Sequence, residues 1–184
     1  MEALDLLLKR ESAMKLTEPG PTEAQLDTMF QAAVRAPDHG RLRPWAFVVV
    51  PRDKRERFGE IMAQSLQRRK ADASPEMIQR EKQKALRAPL IVIAAARPKS
   101  TDRIPEVEQL LSAGAAVQNI MLAANALGYG TMWRTGDAAY DDAVKTALGL
   151  QPSDKIVGFV YLGTSDGAAS PAARPGPKDF VTTL

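Results

Sequence analysis

The sequence predicts an α+β fold in which helices surround a few buried strands. Three apolar runs are typical of strands, and the helical patterns between them do not follow a regular order of strand, helix and strand. These runs are Trp45–Val50, Leu90–Ala96 and residues 155–162. The length of 184 residues fits one domain, 1–184, and a content of 45% hydrophobic and 26% charged residues is that of an ordinary globular chain.

Two helices are predicted before the first strand. Three leucines share one face of residues 2–9, which indicates a short helix. Thr22 and Gln25 form a capping box at the start of the second helix, and Pro37 ends it. The strand Trp45–Val50 is apolar throughout, so we expect it to be buried on both faces.

The longest predicted helix covers residues 105–127 and follows two charged helices and the second strand. The charged helices cover residues 53–69 and a segment that restarts at Pro75 and stops at Pro89. An apolar stripe and a run of small residues place helix 105–127 at the centre of the fold, and the small residues also suit contact with a second copy of the chain. Gly128 is expected to end this helix in the left-handed conformation. A strand over 129–133 and a helix over 138–148 follow.

Composition excludes several kinds of site. The chain has no cysteine, which excludes disulfides, thiolate chemistry and cysteine-bound metals, and its single histidine disfavours any other metal site. The basic residues lie on predicted helix faces without stacking aromatics, so we expect no nucleic-acid partner. No apolar run reaches the roughly 18 residues that span a bilayer, and the acidic start is unlike a secretion signal. We therefore expect no membrane association and a cytoplasmic location.

The segment 35–45 is the strongest candidate for function. It contains Arg35, Arg41, Arg43 and His39, the only histidine, between a helix and a strand. Functional residues often lie on loops held by such a scaffold, and arginine side chains suit a phosphate or another anion. The chain has no glycine-rich phosphate motif, and no Ser/His/Asp triad can be assigned. We therefore predict no catalytic residue and expect a cofactor to carry the chemistry.

Five groups of residues form motifs that become specific when they are taken together. The motifs are Lys9-Arg10-Glu11-Ser12, Ala36-Pro37 with Arg43-Pro44-Trp45, Leu127-Gly128-Tyr129-Gly130-Thr131-Met132-Trp133, Gly158-Phe159-Val160-Tyr161-Leu162-Gly163, and Ala173-Arg174-Pro175 with Phe180-Val181. In this order they resemble the FMN-dependent nitroreductase family, and within it the minimal NAD(P)H nitroreductases. The resemblance covers the whole chain.

The resemblance implies a fold and a cofactor site. The implied fold is a mostly antiparallel central sheet flanked by helices, with a C-terminal extension that wraps the partner in a homodimer. FMN would lie at the dimer interface, take hydride from NADH or NADPH, and pass it to a nitroaromatic or quinone-like acceptor in a ping-pong cycle. The residues implied to bind FMN are Arg10, Glu11, Ser12 and Arg174 around the phosphate and ribityl group, Arg35 and His39 from the partner chain, and Thr131, Met132 and Trp133 beside the flavin ring.

Several of these residues have simpler explanations. Arg10 can be a helix C-terminal charge, Arg35 can cap its helix, and His39 can be a neutral loop histidine bonded to Asp38. Trp45 fits the core better than a stack on a cofactor. In the family, a basic residue near the flavin pyrimidine ring often stands where this chain has a methionine at position 14, and Lys15 is a candidate to supply that charge.

Two other functions stay open from the residues alone. One is a flavoprotein of the same fold with another reaction, such as dehydrogenation, dehalogenation or flavin breakdown. The other is a non-enzymatic dimer that binds an anion or a nucleotide through the same arginines. The sequence does not identify the acceptor and does not distinguish NADH from NADPH.

Overall fold

A five-stranded antiparallel sheet with helices on both faces forms the fold, in a computed structural model that describes residues 2–166 and 174–184. The helices are α1 (Ala3–Lys9), α2 (Glu23–Ala33), α3 (Arg55–Arg69), α4 (Pro75–Gln83), α5 (Glu106–Ala126) and α6 (Asp142–Ala147). The strands are β1 (Leu16–Thr17), β2 (Trp45–Val50), β3 (Leu90–Ala96), β4 (Gly130–Arg134) and β5 (Lys155–Ser165). The predicted α+β class and antiparallel sheet are confirmed.

Strand β5 organises the sheet because it pairs with three other strands. Leu162 of β5 lies opposite Leu90 of β3 and opposite Thr131 of β4. The last residues of β5 pair with β1, and β2 joins the sheet through β3. The strand is longer than predicted, since it continues past residue 162 to Ser165. The extension carries the pairing with β1, a two-residue strand too short for a sequence pattern to reveal.

Alternate residues of β3 and β5 point to two separate cores. Val92 and Val160 face α2 and α5, where they pack with buried residues such as Ile120. Ile91 and Phe159 face α3 and α6 on the other side. This alternation follows from the twofold side-chain repeat of a strand. Helices therefore cover both faces, and among the described strands the outer edge of β4 pairs with none.

The sequence-based predictions of β2 and of the helix at 138–148 are wrong in detail. Strand β2 pairs only with β3, so it is an edge strand; its alternate residues pack against both cores, as predicted, but most of them are only half-buried. Residues 137–140 form a 3-10 turn, and α6 begins only at Asp142. Asp141 separates the two because its carboxylate accepts a hydrogen bond from the amide of Ala143 at 2.8 Å, which caps α6. Similarly, α4 ends at Gln83 and a 3-10 turn leads to Pro89.

The small residues of α5 face the sheet of their own chain. Ser112, Ala113 and Ala116 are all buried, so packing within the chain explains them without a second copy. The outward side of α5 carries Val107 and Leu111, which are mostly exposed. Helix α1 has no buried residue, and three of its four leucines, Leu4, Leu7 and Leu8, are exposed. Within residues 2–166 and 174–184, no helix is both long and apolar enough to cross a bilayer.

Asp154 links the start of β5 to the end of β3 through a buried carboxylate. It is fully buried and accepts hydrogen bonds from Arg97 Nε at 3.1 Å, Arg97 Nη2 at 3.0 Å and the amide of Gln151 at 2.9 Å. Burial alone would raise the pKa of Asp154, but these hydrogen bonds and the Arg97 charge outweigh it and hold the pKa below its usual value.

We expect Asp154→Asn to lower the free energy of unfolding by about 2–3 kcal/mol at neutral pH, because it weakens charge-assisted hydrogen bonds. A carboxylate with a lowered pKa in the folded state stabilises the fold above its unfolded pKa, and this contribution is lost as the pH falls. Urea denaturation between neutral and acidic pH should therefore give a shallower acid dependence for the variant than for the wild type. Asp53→Asn, which removes an exposed carboxylate, is the control and should change stability by less than about 0.5 kcal/mol. Equal acid dependence of the wild type and Asp154→Asn would contradict the assignment.

Candidate functional site

Two arginines from opposite ends of the chain meet after α1. Arg10 follows the last residue of α1, and Arg174 Nη2 donates a hydrogen bond to the carbonyl oxygen of Arg10 at 3.2 Å. Burial lowers the pKa of Arg10, the positive charge of Arg174 lowers it further, and Glu11 opposes both effects. Arg10 Nη1 is buried and has no hydrogen-bond partner in the part of the chain that the structure describes. Two neighbouring cations and an unsatisfied buried donor are the features expected of an anion site.

The segment after Arg10 lies against β4. The amide of Ala13 donates a hydrogen bond to the carbonyl oxygen of Thr131 at 2.8 Å. The approach is close, because a Cβ on Gly130 would lie 2.9 Å from side-chain atoms of Ala13, Leu16 and Ser165. A glycine is needed here for that reason and not for an unusual backbone angle. The contact places Ala13, which directly follows Glu11 and Ser12, at the β4 edge.

The outer edge of β4 presents backbone polar groups. The bond from Ala13 shows that the Thr131 carbonyl points away from β5. In an antiparallel strand, alternate residues direct their N–H and C=O groups to the same edge, so Trp133 also directs its backbone outward. The side chain of Thr131 is 2% exposed, and that of Met132 packs against the core on the α3 face. Thr131 and Trp133 therefore direct backbone groups to this edge, whereas the backbone groups of Met132 point toward β5.

The indole of Trp133 is fixed over the sheet. Its Nε1 donates a hydrogen bond to the carbonyl oxygen of Val157 at 3.2 Å. The ring covers Gly158 so closely that a Cβ at that position would overlap the indole and lie 3.0 Å from the Arg134 carbonyl oxygen. On the α5 side, Gly114 lies near the far end of the ring. The indole is 36% exposed, so one part of it stays accessible beside the β4 edge.

The structure does not bring Arg35 and His39 to Arg10. Among the described residues, no hydrogen bond or ion pair joins either side chain to Arg10, Arg174 or β4. His39 Nδ1 instead pairs with Glu108 Oε2 on α5 at 2.6 Å. The simpler explanation in which Asp38 binds His39 is therefore wrong. Arg35 borders an open concavity of about 730 Å³ that is also lined by Arg41, Arg43 and Trp45.

Asp38 holds the arginine-containing segment 35–45 in a strained backbone conformation. Its carboxylate accepts hydrogen bonds from the amides of Leu42 at 3.1 Å and Arg43 at 2.7 Å. Arg41 and Arg43 have φ angles of 54° and 50°, which side chains with a Cβ rarely adopt. Sequence reasoning missed Asp38 and Glu108 as organisers of this loop. The position of Asp38 just before a turn is a sequence signal for its role, because aspartate side chains often bond to turn amides. No such signal exists for Glu108, which lies 69 positions from His39 in the chain.

Two further side chains considered from the sequence have partners elsewhere. Lys15 Nζ pairs with Asp166 at 3.4 Å. Trp45 packs against the core on the α5 face, and its Nε1 donates a hydrogen bond to Ser112 Oγ at 3.0 Å. The structural explanation of Trp45 is therefore confirmed.

Comparison with known proteins agrees with this geometry. The sequence profile described as the Nitroreductase family matches residues 7–164, which is most of the chain. The chain belongs to the nitroreductase family. It is 40% identical over 183 residues to the Escherichia coli (strain K12) protein named "Putative NAD(P)H nitroreductase YdjA", and the match covers 99% of each chain. The family predicted from the motifs is confirmed.

Solved structures support the nitroreductase fold. A nitroreductase-like family protein from Bacillus cereus superimposes with a TM-score of 0.86 and 21% identity, over 100% of this chain and 96% of that chain. A nitroreductase from Bacteroides fragilis NCTC 9343, solved with bound FMN, superimposes with a TM-score of 0.76 and 21% identity. The match covers 100% of this chain and 99% of that chain. At these identities the comparisons establish the fold of this family member.

Proposed function

We propose that this nitroreductase-family protein is an FMN-dependent oxidoreductase that uses NADH or NADPH to reduce small acceptors of the nitroaromatic or quinone class. The observation that carries the proposal is the pair Arg10 and Arg174, with a buried guanidinium donor that lacks a partner among the described residues. FMN has a terminal phosphate that matches such a pair. The name of the E. coli relative supports the NAD(P)H-dependent activity, and the FMN bound to the B. fragilis protein supports the same cofactor.

Each part of the site has a proposed role. Arg10 and Arg174 hold the phosphate, and the exposed Ser12 hydroxyl is available as a further donor. Glu11 directly follows Arg10, and its negative charge offsets part of the positive charge there. The outward backbone groups of β4, from Thr131 to Trp133, are placed for the polar edge of the flavin ring, with Met132 in between. Bound FMN would accept a hydride from the nicotinamide and give it to the acceptor.

The role of the chain is then to position its ligands, and proton transfer by its side chains is not required. We assign no catalytic residue to the chain, because the bound flavin would carry the redox chemistry. The rigid backbone of β4 and the fixed indole of Trp133 provide orientation, which by itself contributes much of an enzymatic rate. We also propose a cytoplasmic location, which suits an enzyme supplied by reduced nicotinamide dinucleotides.

The proposed assembly is a homodimer with FMN at its interface. Exposed apolar side chains support an interface on the α1 side and near the C-terminus: Leu4, Leu7, Leu8, Leu111, Phe180 and Val181. Arg35 and His39 do not reach Arg10 in their own chain, so in this proposal they contact the FMN that is bound by the partner. The C-terminal segment, with its exposed Phe180 and Val181, would wrap around the partner.

Turnover by the purified protein tests the proposed activity. We expect purified protein supplied with FMN to oxidise NADH or NADPH, and the rate to increase when a nitroaromatic or a quinone is added. Flavin uptake without reduction by either dinucleotide would favour another reaction on the same fold. Absence of flavin uptake would contradict the proposal and favour the non-enzymatic anion-binding dimer.

A mixed dimer tests whether Arg35 acts across the interface. Arg10→Ala and Arg35→Ala should each weaken FMN binding when they are present in both subunits. A dimer that carries one variant in each subunit would regain one site with both arginines, and the other site would lack both. We therefore expect co-expression to restore tight binding at half of the sites in the mixed dimers, measured by FMN titration. If Arg35 acts within its own chain, mixing restores no tight site.

A further inference from the structure

A separate cavity of about 180 Å³ lies on the sheet face opposite α5. It is bounded by α3, the turn before β3 and the residues that follow β4, and Met62, Leu66 and Phe159 form its apolar wall. None of its lining residues belongs to the predicted FMN site. The volume is below the roughly 300 Å³ at which pockets for drug-sized ligands begin, so only a small group fits.

Positive charge exceeds negative charge around this cavity. Two carboxylates line it, and each already has a cation, since Glu81 pairs with Lys84 at 2.6 Å and Asp137 pairs with Arg69. Arg87 and Arg134 also line it. Within residues 2–166 and 174–184, neither of these two guanidinium groups has a hydrogen bond or an ion pair. Two cations are therefore free to bind an anion.

The phenol of Tyr161 adds an unpartnered donor to the same cavity. Its side chain is only 3% exposed, it lines the cavity from β5, and its hydroxyl makes no hydrogen bond in the described part of the chain. Burial raises the pKa of Tyr161, while the charges of Arg87 and Arg134 lower it and that of Glu81 raises it. The hydroxyl therefore lies among these three charged groups and stays protonated at neutral pH. Unlike Arg10 Nη1, the Tyr161 hydroxyl oxygen is not sealed from solvent, so it can donate a hydrogen bond to a ligand in the cavity.

We propose that this cavity binds a small oxyanion through Arg87, Arg134 and the hydroxyl of Tyr161. All three groups donate hydrogen bonds, and the guanidinium geometry matches carboxylate or phosphate oxygens. Arg134 directly follows Trp133 in β4, so the anion lies at the end of the strand whose outer edge forms the candidate functional site. The site requires no flavin and is independent of the proposed redox function.

Inorganic phosphate is a suitable probe, titrated calorimetrically at constant ionic strength into protein that carries Arg10→Ala. This background weakens the candidate phosphate site after α1, and the cavity variants then separate binding in the cavity from any binding by the basic segment 35–45. We expect saturable binding that is weakened about tenfold or more by Arg134→Gln and about fivefold by Tyr161→Phe, because one charged and one neutral hydrogen bond are lost. Arg103→Gln, which removes an exposed loop arginine outside the cavity, should leave the affinity unchanged.

Two results would overturn the proposal. One is the absence of saturable phosphate binding in the Arg10→Ala background. The other is binding that neither Arg134→Gln nor Tyr161→Phe weakens. If Arg134→Gln disturbs folding, as circular dichroism would show, Arg87→Gln replaces it, because the Arg87 side chain is exposed and contributes little to the core.

Discussion

Arg10→Ala is expected to weaken FMN binding by about 10- to 100-fold, as measured by fluorescence titration of the protein freed of flavin. The loss corresponds to one charge-assisted contact with a phosphate. Lys9→Ala is the matched control, since it removes the neighbouring cation of α1, which is exposed and pairs with Asp5 at 3.2 Å. We expect the control to change the affinity by less than about threefold, because exposed ion pairs contribute little.

The same variant should not destabilise the flavin-free protein. Burial and the nearby charge of Arg174 both disfavour the charged form of Arg10, and its Nη1 is unsatisfied. Removal of the guanidinium therefore relieves an unfavourable arrangement that only a bound anion would stabilise. We expect the thermal midpoint of the flavin-free variant to equal or exceed that of the wild type. A large drop in that midpoint, without selective loss of FMN affinity, would identify Arg10 as a structural residue.

Gly158→Ala should have the largest effect on stability of any single methyl group added near the site. The new Cβ would overlap the indole of Trp133 and lie 3.0 Å from the Arg134 carbonyl oxygen, so the indole or the end of β4 has to move. We expect a loss of about 1–3 kcal/mol in the free energy of unfolding, which is typical of overpacking. FMN affinity should fall as well, because the displaced residues border the outer edge of β4.

Gly114→Ala provides a control that touches the same indole from the opposite side. Its Cβ would lie 3.9 Å from the nearest atom of Trp133, which is ordinary contact, and the position is inside α5. Alanine in a helix interior is more stable than glycine by about 1 kcal/mol. Urea denaturation should therefore show opposite signs for the two variants. Equal effects would mean that the position of Trp133 does not depend on Gly158.

Local signals in the sequence predicted the elements that they control directly. The capping box at Thr22 is present, with Gln25 and Thr22 bonded to each other, and α2 begins at the next residue. Gly128 has a φ angle of 88° and follows α5 as expected. These features depend on a few adjacent residues. They are therefore readable without knowledge of the fold.

Most features that were predicted wrongly or missed depend on long-range contacts, whereas the break at Asp141 is local. Strand β2 is apolar enough for a central position, yet it pairs on one edge only, and no local pattern encodes the number of neighbours. The break at Asp141 arises because the carboxylate caps α6 within a segment that otherwise favours helix. The pairing of His39 with Glu108 joins residues far apart in the chain. The motifs predicted Arg10 and Arg174 as cofactor ligands, and the structure brings the two together, but the unsatisfied Nη1 of Arg10 became visible only in three dimensions.

Comparison of FMN with riboflavin tests the central claim most directly, because riboflavin lacks only the phosphate. Both ligands would be titrated into the same flavin-free wild-type protein at constant ionic strength, with affinity read from flavin fluorescence. If Arg10 and Arg174 form the phosphate site, FMN should bind at least about 100-fold more tightly than riboflavin. Affinities that agree within about threefold would show that these arginines do not hold a flavin phosphate.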